Sequence, residues 1–429
     1  MNRRVMWSGC LSSAVVAVIA TSSSADVLIV SPDGSGRFTD VSTAIGAASE
    51  GDTIVVSAGR YQLTEPLRLD KHALKLAGVA GQRPVLIAPA DKPAVVHILA
   101  SGVQLQDLIL QGGFYGVKIE PEDDTPVRGV TIRNCTISST AADAVKSYRA
   151  DDLKIEYCQI GPTGLQQHDN AEGIDIIASV KVLIRGCVIE QTATNGIYFK
   201  GGTRDGLVER CLVRHTGHGG ILLGQDTDPE YMRDQARFEA INCTAQNNII
   251  VDTQTAGLGT YSGQNISFVN NTLLDTAKSG QASIWIVTNE REVPAEKVVL
   301  RNNIIGGSGK RPAMFIKNAA GLPDSDHNLF WGPKEVRIVR EISADASLNR
   351  DWSLAQWREA TGMDRNSRIA EPGVDIQRFR PAVSSAAIGA GQQVKSVMDD
   401  YYGKVRSQWD IGAVAAVVGQ VAAATLPAR

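Results

Sequence analysis

Short runs in which Ile, Val or Leu alternate with polar residues recur between Val103 and Asn318, broken at the bends by glycine or asparagine. Thr194 to Gly224 shows one unit: Ile197 and Phe199 as the apolar positions of a strand, a corner at Gly201 and Gly202, a second strand from Leu207 to Cys211, a third at Leu212 and Val213, and a restart at Gly220. A period of two marks a half-buried strand. Cys135, Cys158, Cys187 and Cys211 hold the same slot in successive units, and Asn248, Asn271 and Asn303 take it over further on, at steps of 23, 29, 24, 37, 23 and 32 residues. Self-similarity on this scale signals stacked repeats, and the short period-two strands exclude helical ones. The pattern predicts a solenoid of parallel strands whose core grows by addition of coils.

The two ends are more distinctive. Val30 to Tyr61 (VSPDGSGRFTDVSTAIGAASEGDTIVVSAGRY) reads as an amphipathic cap helix followed by a first coil, and Asp400 to Val414 (DYYGKVRSQWDIGAV) reads as a closing segment. With these motifs the chain resembles the right-handed parallel β-helix proteins of the pectate-lyase-like superfamily. The resemblance implies an all-β fold, a single-stranded right-handed parallel β-helix with an N-terminal cap helix and a C-terminal cap of loops and one short helix. Trp357 to Ser367 (WREATGMDRNS) also resembles a tail common in secreted members. The domain plan is a signal peptide at 1–25, the β-helix with its caps at 26–415, and a flexible tail at 416–429.

Met1 to Ala25 carries Arg3 and Arg4, an apolar run from Ala14 to Ala20 and the small residues Ser23, Ser24 and Ala25. That run is far below the roughly 20 residues of a membrane span, so the expectation is a secretory signal and an exported, secreted or periplasmic product. Loss of the two arginines moves the formal charge from −3 to −5. Mild acidity argues against nucleic acid, for which a basic domain is expected. Five cysteines remain after Cys10, and four share one column, so a buried ladder of free thiols is expected rather than a disulfide framework.

Aligning the coils on Ile197 gives two outward columns, because alternate side chains of a strand share a face. The first holds Lys118, Lys146, Asp175, Tyr198, Leu222, Gly259 and Trp285; the second holds Glu120, Tyr148, Ile177, Lys200, Gly224, Tyr261 and Val287. Ionisable and aromatic groups concentrate in the first four coils, which places the site there. The long loop Gly161 to Glu172 delivers His168, Asp169, Asn170 and Glu172 beside Asp175. Asp169, Glu172 and Asp175 are the expected ligands of Ca²⁺, which takes hard oxygen donors in flexible geometry. Tyr148, Tyr198, Tyr261 and Trp285 offer stacking faces for sugars, and with Lys118 and Lys146 they form the expected substrate-binding set for an acidic polysaccharide.

Lys200 lies one coil beyond Asp175. In the calcium-dependent family 9 pectate lyases, which the chain resembles most closely in plan, a lysine one coil from an acidic calcium cluster removes the C5 proton of a uronate. The resemblance implies that role for Lys200. Arg204, His215 and His218 lie on turns near the same coils, where they could bind a carboxylate or donate a proton to the leaving oxygen, and Arg204 and His218 join Lys200 as the catalytic candidates. HDNAEGID is poorer in Asp than that family's cluster. The leading expectation is therefore an exported lyase that cleaves a uronate-containing polysaccharide, pectate-like or alginate-like, by β-elimination. A C5-epimerase of alginate type, with His168 and Asp169 resembling its His-Asp element, and a non-catalytic carbohydrate-binding protein are the alternatives. Hydrolysis is disfavoured because it needs two carboxylates flanking the bond, and pectin methylesterase because its downstream motifs are missing. The expected partner is an acidic polysaccharide met by a monomer, without nucleic acid or a membrane span.

Overall fold

The computed structural model describes residues 25–416, apart from 308, 310, 333–336 and 343–348. The expected signal segment and the residues beyond 416 lie outside this range. Parallel strands stack coil upon coil in three long sheets of fourteen, twelve and twelve strands. A regular coil gives one strand to each sheet, as Ile197–Lys200, Leu207–Glu209 and Leu212–Thr216 do. Register holds from coil to coil: Ile197 pairs with Ile174 and Ile221, Leu207 with Leu183, and Leu212 with Val188. The second sheet ends where Arg350–Trp352 pairs antiparallel with Val339–Ile342.

One backbone device makes the corner before the third sheet. A residue in the left-handed region precedes each ladder position: Asn134, Tyr157, Gly186, Arg210, Asn247, Asn270, Asn302 and His327 all have φ between 50° and 62°. Asparagine and glycine adopt this conformation at low cost, so four of the eight are Asn. The ladder residues then point inward. Cys135, Cys158, Cys187 and Cys211 are buried free thiols in one column, and Cys243 is buried outside it. Asn248, Asn271 and Asn303 continue the column through side-chain amides, each donating to the next at 3.1 Å. The sequence pattern places the last regular coil near Asn318, but the ladder runs on through Asn328 to Ser367.

Both ends of the core are covered. The helix Val41–Ala47, capped by Asp40 accepting from the Thr43 amide at 2.7 Å, buries Val41, Ala44 and Ile45 over the first coils. The helix Leu354–Thr361 starts with a Ser353–Gln356 capping box and ends at Gly362 with φ 71°. It buries Trp357, whose indole donates to Asp364 at 3.0 Å, and Asp364 also accepts from Ser367 and Asn328. The tail motif thus closes the asparagine ladder. No helix among the described residues is long and apolar enough to cross a membrane.

Candidate functional site

The outward columns of the second sheet hold the expected register: Lys118 pairs with Lys146, Lys146 with Asp175, Asp175 with Tyr198, and Ile177 with Lys200. Ile197 and Phe199 are fully buried in the core beneath them. Asp143, at the bend before Val145–Tyr148, joins Glu172 and Asp175 in one buried group whose ligand oxygens lie within 4.8 Å of one another. Asp143 Oδ1 accepts from the Glu172 amide at 2.7 Å, and Glu172 Oε1 accepts from Thr194 Oγ1 at 2.6 Å and Asn195 Nδ2 at 3.3 Å. Asn195 is itself held by the Gly219 amide at 2.9 Å. Asp143 Oδ2, Glu172 Oε2 and Asp175 Oδ1 have no hydrogen-bond partner. Three carboxylates so placed fit a hard cation by donor type and by oxygens without hydrogen bonds, although Asp143 Oδ2 faces the Lys146 ammonium at 3.3 Å.

Two lysines meet this group. Lys146 Nζ is bonded to Asp175 and lies 3.3 Å from Asp143. Burial lowers the proton affinity of its ammonium, but Asp175 and Asp143 together outweigh that and hold it above the ordinary lysine value. Burial pushes the Asp143 carboxyl well above the usual carboxylate range; Lys146 opposes the shift, and the charges of Glu172 and Asp175 add to it. Lys200 Nζ lies 3.9 Å from Asp175, donates to the Tyr198 hydroxyl at 2.8 Å and sits 4.7 Å from that ring's centre. Burial, then the three carboxylates, raises the Tyr198 phenol far above its ordinary value. Tyr198 therefore meets Lys200 as a neutral hydroxyl.

Above this floor lies a cleft of about 490 Å³. One wall is the segment after the strand Ile221–Leu223, which Gly224 opens at φ +122°, where a Cβ would fall 2.4 Å from the Tyr261 carbonyl. The wall folds back toward earlier coils. Tyr231 packs edge-on against Tyr148 at 5.8 Å, and Arg233 reaches Asp151 through two bonds of 2.5 and 3.0 Å. Asp226 accepts from the Glu290 amide at 2.7 Å, and Arg291 pairs at 2.8 Å with the buried Glu239. Burial raises the Asp226 carboxyl above its ordinary value against that amide bond.

The expected site residues separate into two sets. Lys118, Lys146, Tyr148 and Lys200 line the cleft with Asn170, while Glu172, Asp175 and Tyr198 lie buried beneath it. The cluster takes Asp143 where Asp169 was expected, because Asp169 is exposed on the loop with His168. Arg204 is off the cleft, turned to the exposed Asp234 at 2.5 Å. His218 is exposed at a bend outside the cleft lining, and His215 pairs with Asp252 at 2.8 Å on the third sheet. Tyr261 and Trp285 share the outward face but pack edge-on against each other further along, at 5.8 Å, outside the cleft lining. Asp143, Tyr115, Asp226 and Arg291 went unread in the sequence. Asp143 had a usable signal, since DAVK, ending at Lys146, repeats the spacing of EGID, ending at Asp175, and so puts Asp143 at the Glu172 position of the preceding coil.

Residues 115–305 match the family model described as right handed beta helix region. No curated protein matches the chain. Among solved structures, pectate lyase Pel9A is similar at 14% identity and a TM-score of 0.59, over 92% of this chain and 97% of that one. An alginate lyase from Paenibacillus sp. str. FPU-7 is similar at 15% identity and 0.48, over 75% and 96%. The A-module of the mannuronan C-5 epimerase AlgE4 from Azotobacter vinelandii is similar at 14% identity and 0.48, over 78% and 94%. At these identities the likeness is one of fold.

Proposed function

For a chain that folds as a right-handed parallel β-helix of the pectate-lyase-like kind, we propose the activity of an exported polysaccharide lyase acting on a uronate-containing acidic polysaccharide by β-elimination. The observation that carries this reading is the placement of Lys200 in the cleft beside a buried carboxylate cluster, with Lys118 and Lys146 on the same floor. Lys200 takes the C5 proton of a bound uronate. The C5–H electrons form the C4–C5 double bond, the C4–O4 bond breaks, and O4 needs a proton. Asp226, half-buried on the facing wall and raised by burial, is the group assigned to supply it, a role the sequence had offered to Arg204 or His218. Tyr198 orients the Lys200 amine. Tyr148 and Tyr231 offer stacking faces at the cleft edge, and Lys118 an ionic partner for a carboxylate. Asp143, Glu172 and Asp175 would hold a cation such as Ca²⁺, which when bound neutralises a uronate carboxylate and stabilises developing negative charge.

The test is incubation with pectate, alginate and glycosaminoglycans, reading the ultraviolet absorbance of an unsaturated product. Absorbance on one of them that disappears in Lys200→Ala is the expected result. Exchange of the C5 hydrogen without cleavage identifies an epimerase, and binding with neither identifies a carbohydrate-binding protein. Either outcome rejects the lyase.

A further inference from the structure

Lys146 stands in the floor of the cleft, but its ammonium is spent below it. Its side chain is 16% exposed, and both partners, Asp143 and Asp175, are wholly buried. Three carboxylates in a site closed to water repel strongly, and an uncompensated buried charge is among the most destabilising features a fold can carry. Lys146 is the cation in contact with two of the three. Lys200, the other lysine within reach, is 3.9 Å from Asp175 and hydrogen-bonded to Tyr198 instead. Even so, one oxygen on each carboxylate remains without a hydrogen-bond partner while buried. The site therefore has donors for a cation and a resident charge already occupying part of them.

We propose that Lys146 is the built-in counter-ion of the Asp143, Glu172 and Asp175 cluster, and that a divalent cation binds there by displacing the Lys146 ammonium into the cleft. Charge is then exchanged at the cluster rather than simply added. The displaced ammonium joins Lys118 and Lys200 on the cleft floor, so cation binding raises the positive charge offered to an anionic ligand. By linkage, the anionic ligand must tighten the cation to the same degree. The exchange rests on the cluster as a cation site and not on the lyase reading.

Calcium chloride titrated into the full protein by calorimetry provides the test, with Lys146→Met against the native chain and Lys118→Met as control. Lys146→Met is expected to bind calcium more tightly by roughly 5- to 150-fold, the usual span of a coupling free energy. Its melting temperature without calcium is expected to fall below the native value and to recover as calcium is added, while the control shows neither effect. A native protein that binds no calcium while Lys146→Met binds it is the limiting form of the same result. If Lys146→Met fails to fold, lysine acylation of the native protein read by mass spectrometry decides: Lys146 should be protected without calcium and labelled with it. Calcium affinity unchanged by Lys146→Met, no binding to either protein, or Lys146 equally protected at saturating calcium overturns the proposal. The appearance of unsaturated product reports on the lyase reading alone.

Discussion

Lys200 and Tyr198, two residues apart on one strand, meet above the sheet: the amine donates to the phenol oxygen at 2.8 Å and lies 4.7 Å from the ring centre. An amine fixed in this way has one direction in which to accept a proton. Positioned proton transfer contributes roughly 10² to 10⁴-fold, so Lys200→Ala is expected to lower kcat by about that factor while far-ultraviolet circular dichroism stays unchanged. Lys200→Arg should be similarly poor, because guanidinium keeps its proton. Full elimination activity in Lys200→Ala places the base elsewhere.

A buried clasp ties the cleft wall to an earlier coil. Arg233 binds Asp151 across 82 residues of sequence, and the Asp151 side chain is 7% exposed. Breaking a buried pair costs about 3–5 kcal/mol, moderated here because Arg128 remains 3.8 Å from the same carboxylate. Arg233→Ala should therefore release the segment 225–236, raising KM and hastening proteolytic cleavage there. Arg204→Ala, which removes a pair with the exposed Asp234, should cost under about 1 kcal/mol and leave the wall resistant. Equal protease sensitivity in the two variants would remove the clasp from the account.

The solenoid was legible because strand alternation and a corner ladder are local and repeated. The ladder positions from Cys135 to Asn303 sit in one recurring sequence context, and the outward columns follow from strand alternation. The cluster was half legible: Glu172 and Asp175 lie on one strand and its approach, whereas Asp143 comes from the coil before, and its spacing to Asp175 is set by coil length. Asp169 looked equivalent to them in sequence, but a loop longer than the coil needs turns its side chain to water. The wall was not legible, because Asp226 and Arg291 reach the cleft through excursions anchored by Asp151 and Glu239, residues remote in sequence. Arg204 and His218 sit near Lys200 along the chain, yet a solenoid coil carries neighbouring residues to different faces.

Asn271 makes the inward ladder measurable. Its amide donates to the Ala245 carbonyl at 2.9 Å and to Asn303 at 3.1 Å, and its carbonyl oxygen accepts from the Asn248 amide at 3.0 Å. Asn271→Ala would leave the buried Asn248 backbone N–H without its acceptor and take one bond each from the Ala245 carbonyl and from Asn303 Oδ1, which keeps the backbone N–H of residue 271; at roughly 1–3 kcal/mol for an orphaned group, urea unfolding should shift by about 3 kcal/mol. Cys211→Ala, in the same column, removes one buried sulfur with only weak thiol contacts to the Glu209 and Ile184 carbonyls at 3.4 and 3.8 Å, and should cost about 1 kcal/mol. If the two substitutions cost the same, the amide ladder is packing and not hydrogen bonding.

Asp143 sets the pH response of the cluster. Its carboxyl is raised in the folded chain by burial and, against Lys146, by the charges of Glu172 and Asp175. A raised carboxyl binds its proton more tightly when folded, so its stabilising contribution is complete below the ordinary value of about 3.9 and is lost as pH rises through the folded value. Lys146 is also raised; as a cation it keeps its contribution below about 10.4 and loses it only above. Once ionised, Asp143 works against folding, while the Lys146 ammonium works for it. Asp143→Asn should melt higher than the native protein in EDTA, with a difference that is small near about pH 4 and grows as pH rises above it. Calcium should reverse the order, because the native cluster keeps three carboxylates for the cation and gains more by mass action. Calorimetry across that range, with and without calcium, checks both signs. An Asp143→Asn protein that melts lower than the native chain at every pH without metal would mean that the Asp143 pairing with Lys146, 3.3 Å away, outweighs the repulsion.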